Sequence, residues 1–255
     1  MPTSRPESSN TTPLDDASNI APSSELRHTT HRRGFLGTLA ASGLALTTLG
    51  LPLRLPATPA SGHDAKKDPK DDPDAWFGQL KGKHRMILDV PRPHEMFPFV
   101  WPRVFLLTNT ATGTPEKENN VVVVLRHEGI PYAFEDRIWA KYKFGEVFKI
   151  DDPKTKAPST RNPFWKPAPG DYKLPGFGNV DIGIDQLQAS GVMFCVCDAA
   201  MTVYSAALAA GINANPADVK TEWLSGLLPG VQPVPSGVWA IGRAQEHGCN
   251  YCFAG

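Results

Sequence analysis

Three short runs constrain this chain most. They are "HRMILDV" (84–90), "VVVVLRH" (121–127) and "GVMFCVC" (191–197). Each is apolar and rich in β-branched residues, and none alternates polar with apolar. Strands buried on both faces read this way, whereas a strand with one wet face alternates. Helical segments follow them. "AAMTVYSAALAA" (199–210) comes after Asp198, a capping residue type, and stops at Gly211. "PADVKTEWLSGLL" (216–228) opens on Asn215-Pro216, an N-cap followed by proline at the first helical position. "DQLQAS" (185–190) and "SGVWAIGRAQEHG" (236–248) are two more, and "NYCFA" reads as a last strand. Strands alternating with helices predict an α/β fold with a mainly parallel sheet of about five strands and helices on both faces.

The rest of the chain divides by composition. Residues 1–30 are polar and lack apolar periodicity. Arg32-Arg33 then precedes Phe35 and Leu36, and the 20 residues from Gly34 to Leu53 carry no charge. This is the layout of a twin-arginine (Tat) signal over residues 1–60, with a cleavage region near Ala60. An uncleaved anchor is the alternative, since such a stretch just spans a bilayer. The expectation is a mature protein starting near Ser61 and exported by the Tat translocase to the periplasm, where disulfides are permitted. Residues 61–80 read as a charged linker, and 81–255 as the α/β domain. Within it, residues 150–180 hold a Pro-rich insertion. Positions 150–179 carry six prolines and four aromatics without periodicity, as a lid, a binding loop or an oligomer contact would. Lys plus Arg and Asp plus Glu are both 26, which argues against a nucleic-acid partner. No GxGxxG, P-loop or HExxH motif is present, so nucleotide and zinc-protease chemistry have no support.

The chemistry-bearing residues cluster late. All four cysteines (Cys195, Cys197, Cys249 and Cys252) lie beyond residue 194. Cys197 ends a predicted strand just before a predicted helix. Ligands of open α/β sheets gather outside the strands' carboxyl ends. A helix N-terminus favours an anion, so a thiol so placed is a candidate nucleophile. Cys195 shares the strand face of Cys197 one pleat deeper, where a small buried thiol is expected. The tail "HGCNYCFAG" is neither a thioredoxin-like motif, which needs a helix after it, nor a haem site, which needs His after the second Cys. Three readings stay open. Cys249 and Cys252 form a local disulfide, which needs a turn at 248–250. They resolve chemistry begun at Cys197. Or Cys195, Cys197, Cys249 and Cys252 together ligate a metal or iron–sulfur cluster. His127, at the end of the second run, reaches towards the rim of Cys197 and is a further candidate. His94, Glu95 and His247 are weaker ones.

Three segments in order carry a resemblance: "VVVVLRHEGIPYAF", "GVMFCVCDAAM" and "VPSGVWAIGRAQEHGCNYCFAG". They resemble successive signatures of the DsrE-like family over about residues 83–255, apart from the insertion. The resemblance implies a three-layer α/β/α, flavodoxin-like fold and a homo-oligomer, a trimer or hexamer. It also implies a sulfur-relay cysteine that carries persulfide, matched here by Cys197. Reduced sulfur species or a partner thiol protein are then the expected partners. The alternatives are a cysteine-ligated metal protein and a non-enzymatic assembly protein with disulfide-locked cysteines. No cofactor is identified.

Overall fold

In a computed structural model, residues 72–255 are described. The expected leader at 1–60 and most of the linker lie outside them. Among the described residues, no helix is long and apolar enough to cross a membrane.

The described elements run β1 (His84–Val90), α1 (Phe97–Ala111), β2 (Asn119–Leu125), α2 (Asp136–Tyr142), α3 (Phe144–Phe148), β3 (Lys173–Leu174), β4 (Gly178–Asn179), α4 (Ile184–Ala189), β5 (Val192–Cys197), α5 (Asp198–Gly211), α6 (Pro216–Ser225), β6 (Val231–Val234), α7 (Gly237–Glu246) and β7 (Asn250–Phe253). Short 3₁₀ turns add Ala75–Gln79, Glu116–Glu118 and His127–Ala133. Five strands form one sheet in the order β6-β5-β2-β1-β7, and every pairing in it is parallel. The fold is three-layer α/β/α and flavodoxin-like.

The order of strands dictates the layers. From β1 through β2 and β5 to β6, each step moves the same way across the sheet. Right-handed crossovers then place every intervening helix on one face. The step from β6 to β7 reverses, so α7 crosses the other face. The core follows this division. Leu88, Val121, Val123 and Phe194 pack with the residues of α1, α5 and α6. Ile87, Val122, Val124, Cys195 and Val234 pack under Ala240 and Ala244 of α7 and under Phe77. Both faces of β2 are therefore buried, which is why its valines run without interruption. Phe77 is fully buried, so the packed body includes residues the composition assigned to the linker.

Two elements override local sequence. α1 contains Pro98 and Pro102. Pro98 sits in the first turn, where its missing N–H costs nothing. Pro102 lies deeper, and its burial with Phe99, Val100 and Leu106 outweighs the lost bond. β6, "VQPV", tolerates Pro233 because it is an edge strand with one unpaired side.

The insertion is packed rather than loose. Asn162 is fully buried, and its Nδ2 donates to the carbonyls of Tyr132 (2.9 Å) and Phe134 (3.0 Å). Phe164 stacks on Phe99 with ring centroids 4.2 Å apart and on Tyr172 at 5.2 Å. β3 and β4 form its small antiparallel hairpin.

Candidate functional site

Cys197 is the last residue of β5 and the N-cap of α5. Its Sγ accepts the backbone N–H of Ala200 at 3.3 Å. The sequence pointed to Asp198 as this cap, but the thiol takes the place. Asp198 sits inside the first turn, and its carboxylate pairs instead with Lys220 Nζ at 2.8 Å.

The surroundings of Cys197 follow from topology. Its neighbour at the rim is Val234, the end of β6. β5 continues into α5 on one face, while β6 continues into α7 on the other. Adjacent strands whose connections diverge in this way create the crevice in which open α/β sheets bind ligands. The N-termini of two helices, α5 and α7, open from that crevice. The Ala199 N–H donates to the Pro235 carbonyl at 3.2 Å and ties the two connections together. The Ser236 side chain caps α7 by accepting from Trp239 N–H.

Next along the rim comes a charged group that sequence reasoning did not find. Asp89, near the end of β1, is 1% exposed. A buried carboxylate needs partners, and it has three contacts. Arg126 grips it with Nε to Oδ1 at 2.6 Å and Nη2 to Oδ2 at 2.9 Å. Tyr251 of β7 donates its hydroxyl to Oδ2 at 2.8 Å. Arg126 follows β2, so β1, β2 and β7 each supply one member. Gly237 makes room: a Cβ there would lie 2.5 Å from Arg126 Cβ. The guanidinium thus packs against the start of α7. Its pKa is raised, first by the Asp89 hydrogen bond, then by the charges of Asp89, Tyr251 and Cys197, against the opposing effect of burial. Burial and the bond to Asp89 raise the Tyr251 phenol, which stays a donor. A lone Asp inside an apolar strand, and an Arg closing the next one, were the signal that would have revealed this pair.

The other predicted site residues are placed as follows. His127 begins the 3₁₀ turn after β2 with φ 49°, and its Nδ1 lies 3.0 Å from the Tyr204 hydroxyl. Tyr204 is seven residues beyond Cys197, so His127 sits beside α5 roughly 10 Å along its axis from the cap. Cys195 is fully buried in the core on the α7 face, whereas Cys197 packs with the α5 face because its thiol turns to cap that helix, so the two do not share a face as strand alternation predicted. Burial drives the Cys195 pKa well above the ordinary thiol range. Cys249 lies at the opposite end of the sheet, just before β7. Burial pushes its pKa up to about 11, with Arg85 opposing. Cys252 pairs with Leu88 and therefore faces the opposite side of the sheet from Cys249. His94 packs its ring on Phe97, and His247 on Phe77.

This geometry corrects the readings built on convergence. All four cysteines are unbridged. Cys249 and Cys252 point to opposite faces, so the local disulfide does not form. Cys252 sits three strands from Cys197, about 14 Å across the sheet, and about 10 Å back along it. A disulfide needs Cα atoms within about 7 Å, so neither tail thiol resolves Cys197 in this conformation. Among the described residues, no group of three or more His, Cys, Asp or Glu side chains converges to hold a metal, so the four thiols do not form one ligand set.

No family model matches the chain. No curated protein matches it. A solved structure described as a protein of unknown function, MTH1491 from Methanobacterium thermoautotrophicum, aligns with 67% of this chain and 99% of its own. The identity is 15% and the TM-score 0.35.

Proposed function

We propose that Cys197 is the nucleophilic thiol of an exported, DsrE-like sulfur-handling protein, with Arg126 as its electrostatic neighbour. The observation that carries this reading is the position of Cys197. It caps α5 at the crevice where the connections of β5 and β6 part, beside a guanidinium held by Asp89, which in turn accepts from Tyr251. Helix N-termini and a neighbouring cation both stabilise a thiolate. The three family-like segments and the twin-arginine leader agree with it. Oligomer formation and extracytoplasmic work belong to the same proposal.

The chemistry is a thiol exchange. The Cys197 thiolate attacks the outer sulfur of a persulfide R–S–S⁻. A new Cys197–S bond forms, the donor S–S bond breaks, and R–S⁻ leaves with the electron pair. Cys197 now carries –S–S⁻. A thiolate of a second molecule then takes the outer sulfur and releases Cys197, with no net oxidation. The acceptor is external, because no other thiol of the chain reaches Cys197.

Intact mass spectrometry after brief treatment with polysulfide tests this. The expected result is added sulfur that maps to Cys197, is removed by a small thiol and is absent in Cys197→Ser. Arg126→Leu should slow the addition. Sulfur loading that persists in Cys197→Ser, or no loading at any cysteine, refutes the proposal.

A further inference from the structure

A second concavity lies on the same carboxyl edge of the sheet and shares no residue with the Cys197 crevice. It is a cleft of about 370 Å³ between the β1–α1 connection, the turn after β2 and the start of the insertion. Pro93, Glu95 and Met96 form one wall, and Lys149 to Pro153 with Lys156 the other. Phe164 and Tyr132 close the base, each 1% exposed. The volume stands at the small end of ligand pockets, which run from about 300 to 1,000 Å³.

The Tyr132 side chain lines the cleft, and its hydroxyl bonds to no other described residue. The chain has five tyrosines. Four hydroxyls have partners: Tyr142 with Glu222, Tyr172 with the Pro163 carbonyl, Tyr204 with His127, and Tyr251 with Asp89. The Tyr132 hydroxyl has none among the described residues, although Tyr132 is the most buried of the five. The hydroxyl is not sealed in the core: it keeps water contact at the cleft, where a ligand oxygen can take the place of that water. Burial raises its pKa, so it stays a phenol and can donate.

The charges on the walls are balanced and uncommitted. Lys149 and Lys156 make no ion pair among the described residues, and neither do Glu95 and Asp151. Asp152, in contrast, is already held by Arg161 at 3.1 Å and by the Lys154 amide at 2.8 Å. Glu95, Lys149 and Lys156 all have left-handed backbone, with φ of 48°, 55° and 58°. A simple anion would meet the two carboxylates, and a simple cation the two ammonium groups. A molecule carrying both charges satisfies both sets.

The geometry points to a binding site for a free α-amino acid with an apolar side chain. Lys149 and Lys156 hold the carboxylate, Glu95 and Asp151 the ammonium, and the side chain lies over Phe164 with the Tyr132 hydroxyl donating to a ligand oxygen. The site does not depend on Cys197.

Calorimetric titration of the protein with L-phenylalanine and L-leucine tests this. 3-Phenylpropanoate lacks the ammonium and phenethylamine the carboxylate, so they serve as controls. The expected result is submillimolar binding of one of the two amino acids, with each control at least about tenfold weaker. Tyr132→Phe should lower the affinity about fivefold without lowering Tm, because its hydroxyl has no partner to lose. Lys149→Ala/Lys156→Ala should weaken binding further, and Cys197→Ser should leave it unchanged. The proposal is overturned if neither amino acid binds at about 10 mM, a ceiling weaker than any functional site of this size requires. Equal binding of 3-phenylpropanoate overturns it as well, as does binding indifferent to the Tyr132 and Lys149/Lys156 changes.

Discussion

Replacing Arg126 by leucine tests the charge cluster at the sheet rim directly. The substitution keeps most of the apolar stem that packs on Gly237 and removes two charge-assisted hydrogen bonds to Asp89. The carboxylate then stays buried with the Tyr251 hydroxyl as its remaining side-chain partner. Removing one member of a buried ion pair costs about 3–5 kcal/mol. The Arg126 side chain is 26% exposed, so water softens the loss and the lower end, about 3 kcal/mol, applies. For a domain of this size that is a fall in Tm of about 6–12 °C. Urea denaturation followed by tryptophan fluorescence reads it as a lower midpoint at unchanged slope. The companion variant Asp89→Asn costs less, because Arg126 can turn to solvent. The double variant Asp89→Asn/Arg126→Leu should recover about 1–2 kcal/mol relative to the sum of the two singles. A single-variant loss below about 1 kcal/mol, or strict additivity in the double variant, refutes the argument that this pair is a buried, mutually dependent unit.

Three further outcomes follow from the same geometry. Alkylation with iodoacetamide at pH 8, mapped by peptide mass, should leave Cys195 and Cys249 unmodified in the folded protein. At a pKa of about 11, roughly one Cys249 thiol in a thousand is ionised at that pH, and Cys195 is less ionised still. Asn162→Ala should destabilise the protein by about 2–4 kcal/mol by stranding the buried carbonyls of Tyr132 and Phe134, and limited proteolysis should then cut within 150–179. Glu222 is held below the ordinary carboxylate range, first by Lys141 and then by Tyr142. Its stabilising contribution is complete above the unfolded pKa and is lost as pH falls through the lower folded value. The Tm gap between the protein and Glu222→Gln should therefore shrink on acidification from about pH 5 to pH 3.

How much of this was legible depended on whether the cause was local. β1 was readable to the residue, because its apolar residues Met86 to Leu88 and Val90 do not alternate with polar ones, as burial on both faces requires. The cap at Asn215 was readable because it acts within two residues. β2 ends two residues before its run does, since Arg126 turns to Asp89 and His127 takes a left-handed backbone. α1 was hidden by its prolines, and only the buried face it presents to the sheet restores it. Cys197 was readable as a strand-to-helix junction. Its neighbours were not, because Arg126, Asp89 and Tyr251 meet only through strand order. Spacing along the chain likewise suggested that four cysteines converge, but the sheet separates them by strand, by face and by end.

The Asp89–Tyr251 contact spans 162 residues of chain. Closing so long a loop is slow, so β7 is expected to dock after the neighbouring strands have paired. Until it does, β1 presents an open edge of unpaired backbone groups, flanked by a buried-type carboxylate that lacks its phenol. Such an edge is a template on which a second chain can pair. β7 is therefore a guard as well as a strand. Tyr251→Phe, which weakens its hold on β1, should increase aggregation during refolding more than it lowers the stability of the finished fold.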